Sequence, residues 1–319
     1  MAENRKLISE LLGIKYPIIV APMFLVSSPE MIIEAIRNGC TAAIPALNFR
    51  SAEELREGIR QVKKAIKGPM GVNLIVNQSN YRLKRDLEIC LEEGVDFYIT
   101  SLGNPAEVIQ KAHLKGKHVF CDVVNAEYAR KVESLGADAV IAVNNRAGGH
   151  AGNKSMADLL AELKSAINIP IISAGGVSLG SDVKAAIEAG ASGVSVGTVF
   201  IASNEAPVSN EYKEGMVQYG AKDIVMTTRL SGTPCTVIKT PYVEQIGLEP
   251  TWLERIMKKH HSLKKFIKMI LFIRGMKKLR NAAYGFSYKS VWCAGPSIEN
   301  VHSIRPMKEI FDELISGLS

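Results

Sequence analysis

Ile18-Ile19-Val20-Ala21-Pro22-Met23-Phe24 is the stretch that decides between two folds. Its first half is a short β-branched run that reads as a buried strand. Its second half is the turn that follows. A doubly wound sheet would want a G-x-G-x-x-G turn at this point, but Ala21-Pro22-Met23-Phe24 contains no glycine. From Pro17 to Phe200 the chain repeats one unit: a helical stretch, a glycine stop, an apolar strand. The strand candidates after Ile18–Ala21 are 42–45, 70–75, 97–100, 118–121, 139–143, 170–173 and 193–196, eight in all. Gly39, Gly94, Gly116, Gly136 and Gly190 each fall just past a helical stretch, where a left-handed residue closes a helix at little cost. Strands apolar on both faces and joined by helical crossovers are parallel. Eight such units predict an α/β fold, a (β/α)8 TIM barrel.

After Phe200 the rhythm breaks. A helix is expected over 211–219, then a Thr/Gly/Pro-rich stretch over 227–241, and a last helix over 307–318. Residues 1–240 are therefore read as the barrel and 241–319 as a C-terminal helical extension or lid packed on it. The net charge of +7 belongs to one part of that extension: residues 255–280 hold ten Lys/Arg and no acid, so the remainder carries 7 − 10 = −3. Leu253, Ile256, Met257, Phe266, Ile267, Ile270 and Leu271 recur there at helical spacing. An amphipathic lid with its lysines in water is the expected form, against a docking surface for an acidic partner or a membrane-surface helix.

Composition excludes several classes. No apolar run is long enough to span a bilayer, and Met1-Ala2-Glu3-Asn4-Arg5-Lys6 lacks the apolar core of a signal peptide, so a cytoplasmic protein is expected. Cys40, Cys90, Cys121, Cys235 and Cys293 are odd in number and scattered, which argues against a disulfide framework or zinc site. No H-E-x-x-H or Cys/His cluster points to a metal. With 6% aromatic residues and no known motif, nucleic-acid binding has little support.

In such a barrel the chemistry lies at the C-terminal ends of the strands, and phosphate is commonly held after strands seven and eight. Both of those loops are glycine-rich here: Ser173-Ala174-Gly175-Gly176-Val177 and Val196-Gly197-Thr198. One such loop alone would be no more than a tight turn. Two at the two expected positions favour a phosphorylated cofactor, bound by backbone N–H groups and a helix start. After strand six comes Asn144-Asn145-Arg146-Ala147-Gly148-Gly149-His150-Ala151-Gly152. A histidine set among glycines is a candidate general base or hydrogen-bond donor. Asn73 is either a satisfied core asparagine or an amide aimed at a polar ring edge. Asp122 and Ser101 point to the mouth or merely cap loops. Arg146 and Lys154 meet an anion or solvent.

Taken together, these residues resemble the nitronate monooxygenases (2-nitropropane dioxygenases) and the related flavin-dependent enoyl-ACP reductases. The matching pieces are Ala21-Pro22-Met23, Gly71-Val72-Asn73-Leu74, Ala147 to Gly152, Pro170 to Val177 and Gly190 to Phe200. They run in order through about the first 240 residues. The resemblance implies an FMN-binding barrel. Ala21, Pro22 and Met23 would lie beside the flavin ring, with Asn73 at its polar edge and Asp122, Ala147, Gly148 and Gly149 around it. Gly175, Gly176, Gly197 and Thr198 would hold the phosphate, Ser173 would join the cofactor site, and His150 matches the active-site histidine. The implied reaction oxidises a small-molecule nitronate or nitroalkane with O2 to a carbonyl compound and nitrite. Some positions depart from the pattern. Arg146 stands where many relatives carry an acid, Asp122 where some carry a base, Val199 where arginine is usual, and Pro296 where glutamine is common.

Three functions compete. The first is nitronate oxidation. The second keeps the flavin but takes electrons from NAD(P)H to reduce an enoyl-ACP thioester or a quinone. The third is a binding protein whose barrel has lost its chemistry. Ala21-Pro22-Met23 leans to the first, because the enoyl reductases tend to carry Gly-Gly-Met there, and the intact Gly-Gly-His turn argues against the third. Substrate, electron donor and any self-association stay open.

Overall fold

A computed structural model describes residues 6–227, 234–248 and 291–318. The cationic stretch 255–280, with the lid expected from it, lies outside the described residues.

All eight expected strands are present and close into one parallel barrel. In chain order they are β1 (Ile18–Val20), β2 (Thr41–Pro45), β3 (Gly71–Ile75), β4 (Phe97–Ser101), β5 (His118–Val123) and β6 (Ala139–Val143). A short strand β7 (Gly149–His150) lies outside the barrel, and β8 (Ile171–Ala174) and β9 (Gly193–Val196) complete it. β9 returns to β1 with Ile18 opposite Val194 and Val20 opposite Val196. The five glycine stops all have positive φ, from 65° at Gly116 to 96° at Gly190. Serine or asparagine side chains at 28, 51, 125, 155 and 209 accept the first-turn N–H groups of the helices that follow.

The strands are apolar because both faces are covered. Ile19, Ala43, Phe97, Ile99, Phe120, Ala139, Ile141 and Ile172 fill the barrel interior, with the Phe97 and Phe120 rings 5.3 Å apart. Their neighbours Ile18, Val20, Val72, Tyr98, Val119 and Val140 face the surrounding helices. The helix Ile8–Leu12 closes the bottom. Ile8 N donates to Ser192 O at 2.9 Å, and a Cβ on Gly193 would lie 2.5 Å from Ile8 Cδ1. The strands finish at the opposite end, where the candidate site residues gather.

Directly after β9 comes the short helix Thr198–Ile201, and the expected helix over 211–219 follows as Asn210–Gln218. The place of the eighth ring helix is taken by Met307–Ile315, which packs on the helices Gly180–Glu188 and Pro29–Arg37. Its Met307, Ile310, Phe311 and Leu314 are buried, and the Phe311 ring packs tilted against Phe200 with centroids 4.9 Å apart. The expected terminal helix is thus a member of the ring.

The Thr/Gly/Pro-rich stretch holds a feature the local pattern did not announce. β10 (Ile224–Thr227) and β11 (Cys235–Ile238) pair antiparallel, and β11 also pairs with β7, with Cys235 opposite His150 and Thr236 opposite Gly149. This three-stranded sheet stands at the barrel mouth. Among the described residues no helix is long and apolar enough to cross a membrane.

Candidate active site

The loop after β6 is organised by Asn144, which is 1% exposed. Its N–H donates to Ala174 O at 3.0 Å and its Nδ2 to Gly175 O at 2.9 Å. Its Oδ1 accepts from Arg146 N at 2.8 Å, and its carbonyl accepts from Gly152 N at 3.2 Å. One buried amide therefore ties the Gly-Gly-His loop to the glycine loop after β8. The two loops cross so closely that a Cβ on Gly175 would lie 2.4 Å from Asn144 Oδ1 and 2.6 Å from Ala147 N. Gly175 has φ 108° and Gly176 φ 80°, which a side chain would strain further.

Thr236 holds the same loop from the other side. Its hydroxyl lies 2.7 Å from Ala147 O and 3.2 Å from Gly149 O. Gly295, from the chain's last segment, passes beneath Gly148. Its N–H donates to Thr198 Oγ1 at 3.0 Å. Ala21 and Met23 complete this side, since a Cβ on Gly197 would meet Met23 Sδ at 3.4 Å and Ala21 Cβ at 3.5 Å. Ala21 N donates to Val196 O at 2.8 Å, and the loop beyond is clamped by Asn48, whose Nδ2 donates to Met23 O and Ser27 O. Pro22 sits between Ala21 and Met23 in the same loop. Ala21, Met23, Ala147, Gly148, Gly175, Gly176, Gly197 and Thr198 thus form one contiguous arc over β1, β6, β8 and β9.

This arc fits an anion. The N–H groups of Gly175, Gly176, Gly197 and Thr198 make no hydrogen bond to another described residue. Ser173, 1% exposed, has a hydroxyl with no partner among the described residues. A buried unpaired hydroxyl costs about 1–3 kcal/mol, so a ligand group that pairs with it would recover that cost. Thr198 accepts from Gly295 and keeps its own proton to give.

A second arc spans β3, β4 and β5. Asn73, 7% exposed, donates from Nδ2 to Ile99 O at 3.1 Å and to Ser101 Oγ at 2.8 Å. Ser101 donates in turn to Asp122 Oδ2 at 2.5 Å. The amide nitrogen is thus internally satisfied, and only Asn73 Oδ1 is left to face a ligand. Burial pushes the Asp122 carboxyl up to about 6, while the Ser101 hydrogen bond holds it down.

His150 is exposed at the rim yet closely surrounded by protein. Desolvation lowers its pKa from the ordinary histidine value, so the neutral ring dominates at pH 7. Lys154 does not reach this site, because it forms an ion pair with Glu162. Arg146 is exposed, with its side chain lying over Gly176. Sequence reading missed Asn144, Thr236, Gly295 and the role of Ser101. Only Asn144 carried a signal, as a polar residue directly after an apolar strand. The five cysteines are unbridged, the closest described pair being Cys235 and Cys293 with Sγ atoms 3.9 Å apart. Among the described residues no group of three acidic, histidine or cysteine side chains could hold a metal.

Comparison with known proteins matches residues 79–317 to the family model of nitronate monooxygenase. A hydroxy-methyl-oxo-octahydroindene-carboxyl-CoA dehydrogenase of Rhodococcus jostii is 30% identical over 246 residues, 77% of this chain and 69% of the relative. A probable nitronate monooxygenase of Staphylococcus saprophyticus is 28% identical over 287 residues, covering 75% of this chain and 80% of the relative. The solved structure of FabK from Thermotoga maritima superposes with a TM-score of 0.84 at 28% identity, over 97% of this chain and 94% of that one.

Proposed function

The chain belongs to the nitronate monooxygenase family of oxidoreductases, and from that premise we propose an FMN-dependent enzyme that oxidises alkyl nitronates or their parent nitroalkanes. The co-substrate is O2 and the products are a carbonyl compound and nitrite. The observation that carries this reading is the set of donors at Gly175, Gly176, Gly197 and Thr198, beside the Ser173 hydroxyl, that have no partner among the described residues. They stand where a barrel of this kind binds phosphate.

When bound, the flavin supplies the electron transfer between substrate and O2. The chain supplies the rest. The β8 and β9 loops would hold the phosphate, the backbone of Ala21 to Met23 would flank the ring, and Asn73 Oδ1 would accept from its polar edge. His150, kept neutral by desolvation, removes the α-proton of a nitroalkane at a ring nitrogen, or steers the oxygens of a preformed nitronate.

The test is an absorbance spectrum of the purified protein, then anaerobic additions. Ethylnitronate should bleach the flavin, NADH and NADPH should not, and readmitted air should yield nitrite. Rapid bleaching by a nicotinamide would overturn the nitronate assignment.

A second reading is reversible redox chemistry on a thioester. It is favoured by the 30% identity to a carboxyl-CoA dehydrogenase. Under it His150 or Asp122 would exchange the proton that accompanies hydride transfer.

A further inference from the structure

The line Asn73–Ser101–Asp122 has a fixed direction. An amide NH2 can only donate, so Ser101 Oγ accepts from Asn73 at 2.8 Å and sends its own proton to Asp122 Oδ2 at 2.5 Å. Oδ2 is therefore the acceptor oxygen, and a proton held by Asp122 sits on Oδ1. That oxygen makes no hydrogen bond to another described residue. The backbone keeps the line in place at some cost. Leu102, directly after Ser101, has φ 60°, and only Leu25, beyond β1 at the same mouth, matches it among described non-glycine residues. Strain of this kind gathers at functional sites.

The groups around Asp122 do not compensate its charge. From β4 it faces Ser101, and from its own strand Cys121, pushed up to about 12 by burial. From the helix Ala126–Ser134 comes Tyr128, also raised by burial and donating to Gly103 O. The β6 loop leans over the end of β5, since a Cβ on Gly152 would lie 3.4 Å from Val124, and this loop carries His150. No cation among the described residues is paired with Asp122.

We propose that Asp122 is the specificity-determining charge of the site. Neutral, it donates Oδ1–H to the anionic oxygen of a nitronate-like substrate. Ionised, it repels that oxygen and leaves uncharged substrates unaffected. The inference rests on the proposed reading of the mouth as the substrate site. Burial puts the changeover near pH 6, so an anionic substrate is admitted on the acid side and a neutral nitroalkane across the range.

Sodium nitrate, planar and singly charged throughout, is the probe. It is titrated into the flavin-loaded enzyme and read as a perturbation of the flavin absorption bands. Wild-type Kd should be constant below about pH 6 and rise about tenfold per pH unit above it. Asp122→Asn, which keeps a donor and loses the charge, should give a flat profile and bind at least about tenfold tighter than wild type at about pH 8. Ser101→Ala removes the bond that holds the carboxylate down, so its break should move to higher pH. A flat wild-type profile, or no nitrate effect at about pH 5.5 in flavin-loaded protein, overturns the proposal. A slope surviving in Asp122→Asn assigns the effect to His150 and overturns it as well. A protein that retains no flavin defeats the underlying reading, and the proposal with it.

Discussion

The backbone N–H of Gly295 donates to the Thr198 hydroxyl oxygen at 3.0 Å, across 97 residues of chain. The described segment 291–318 thereby orients a hydroxyl in the loop after β9. A Cβ on Gly295 would lie 2.5 Å from Arg146 O and 2.9 Å from Gly148 N. Gly295→Ala should therefore displace both loops, at a cost of about 1–3 kcal/mol. Expected is FMN affinity weakened about tenfold or more with an unchanged far-UV circular dichroism spectrum. Fluorescence titration of the apoprotein with FMN checks it.

Ser173→Ala separates the bound state from the free one. Without cofactor the variant loses an unpaired buried hydroxyl, so its melting temperature should stay level or rise. With FMN it loses a hydrogen bond worth about 1 kcal/mol, so the cofactor should raise the variant's melting temperature less than the wild type's. An equal increment in both proteins would remove Ser173 from the cofactor site.

Asn144→Ala removes one side chain that bonds to two loops. The Arg146 N–H and the Gly175 carbonyl, both part-buried, lose their partners, which predicts a loss of about 1–3 kcal/mol in urea unfolding and poor flavin retention. A stable variant with normal flavin content would show that the two glycine loops hold themselves.

His150→Ala should retain flavin while lowering kcat/KM for neutral nitroethane about 10²–10⁴-fold. Preformed ethylnitronate should suffer much less. Because desolvation lowers the His150 pKa, its neutral form persists below pH 6.5. Nitroethane turnover should accordingly fall only as pH drops past a point below that value. An equal loss on both substrates leaves His150 a positioning role alone.

Asp122 also makes a stability prediction. Its folded-state pKa, about 6, lies above the ordinary carboxylate value. The native state therefore holds this proton more tightly than the unfolded chain does, and stability falls as pH rises from the unfolded value through about 6. Asp122→Asn should be more stable than wild type by about 1–3 kcal/mol at neutral pH, with the advantage gone at about pH 4. Melting temperatures across that range test the sign.

The barrel was legible because its strands are covered on both faces and so read as unbroken apolar runs, such as Ala139 to Val143. The glycine stops supplied the punctuation. The sheet formed by β7, β10 and β11 was hidden because its pairing joins residues 149–150 to 235–238, and a two-residue strand has no local pattern to read. For the candidate site, glycine loops showed themselves by composition. The bonds that give them shape, from Asn144, Thr236 and Gly295, are long-range and leave no mark on spacing. The same holds for Ser101, whose hydroxyl acquires meaning only when β3, β4 and β5 stand side by side.

The ring helix Met307–Ile315 carries a consequence for how the enzyme comes into being. On the ribosome, the eight barrel strands have all been made once Val196 emerges. The space between the helices Pro29–Arg37 and Gly180–Glu188 then still stands open, and Thr198 still lacks the Gly295 N–H. A nascent chain halted before Met307–Ile315 is made would present the barrel's apolar flank to water. Closure of the barrel's flank is therefore a late step, completed only when Met307–Ile315 docks between those two helices.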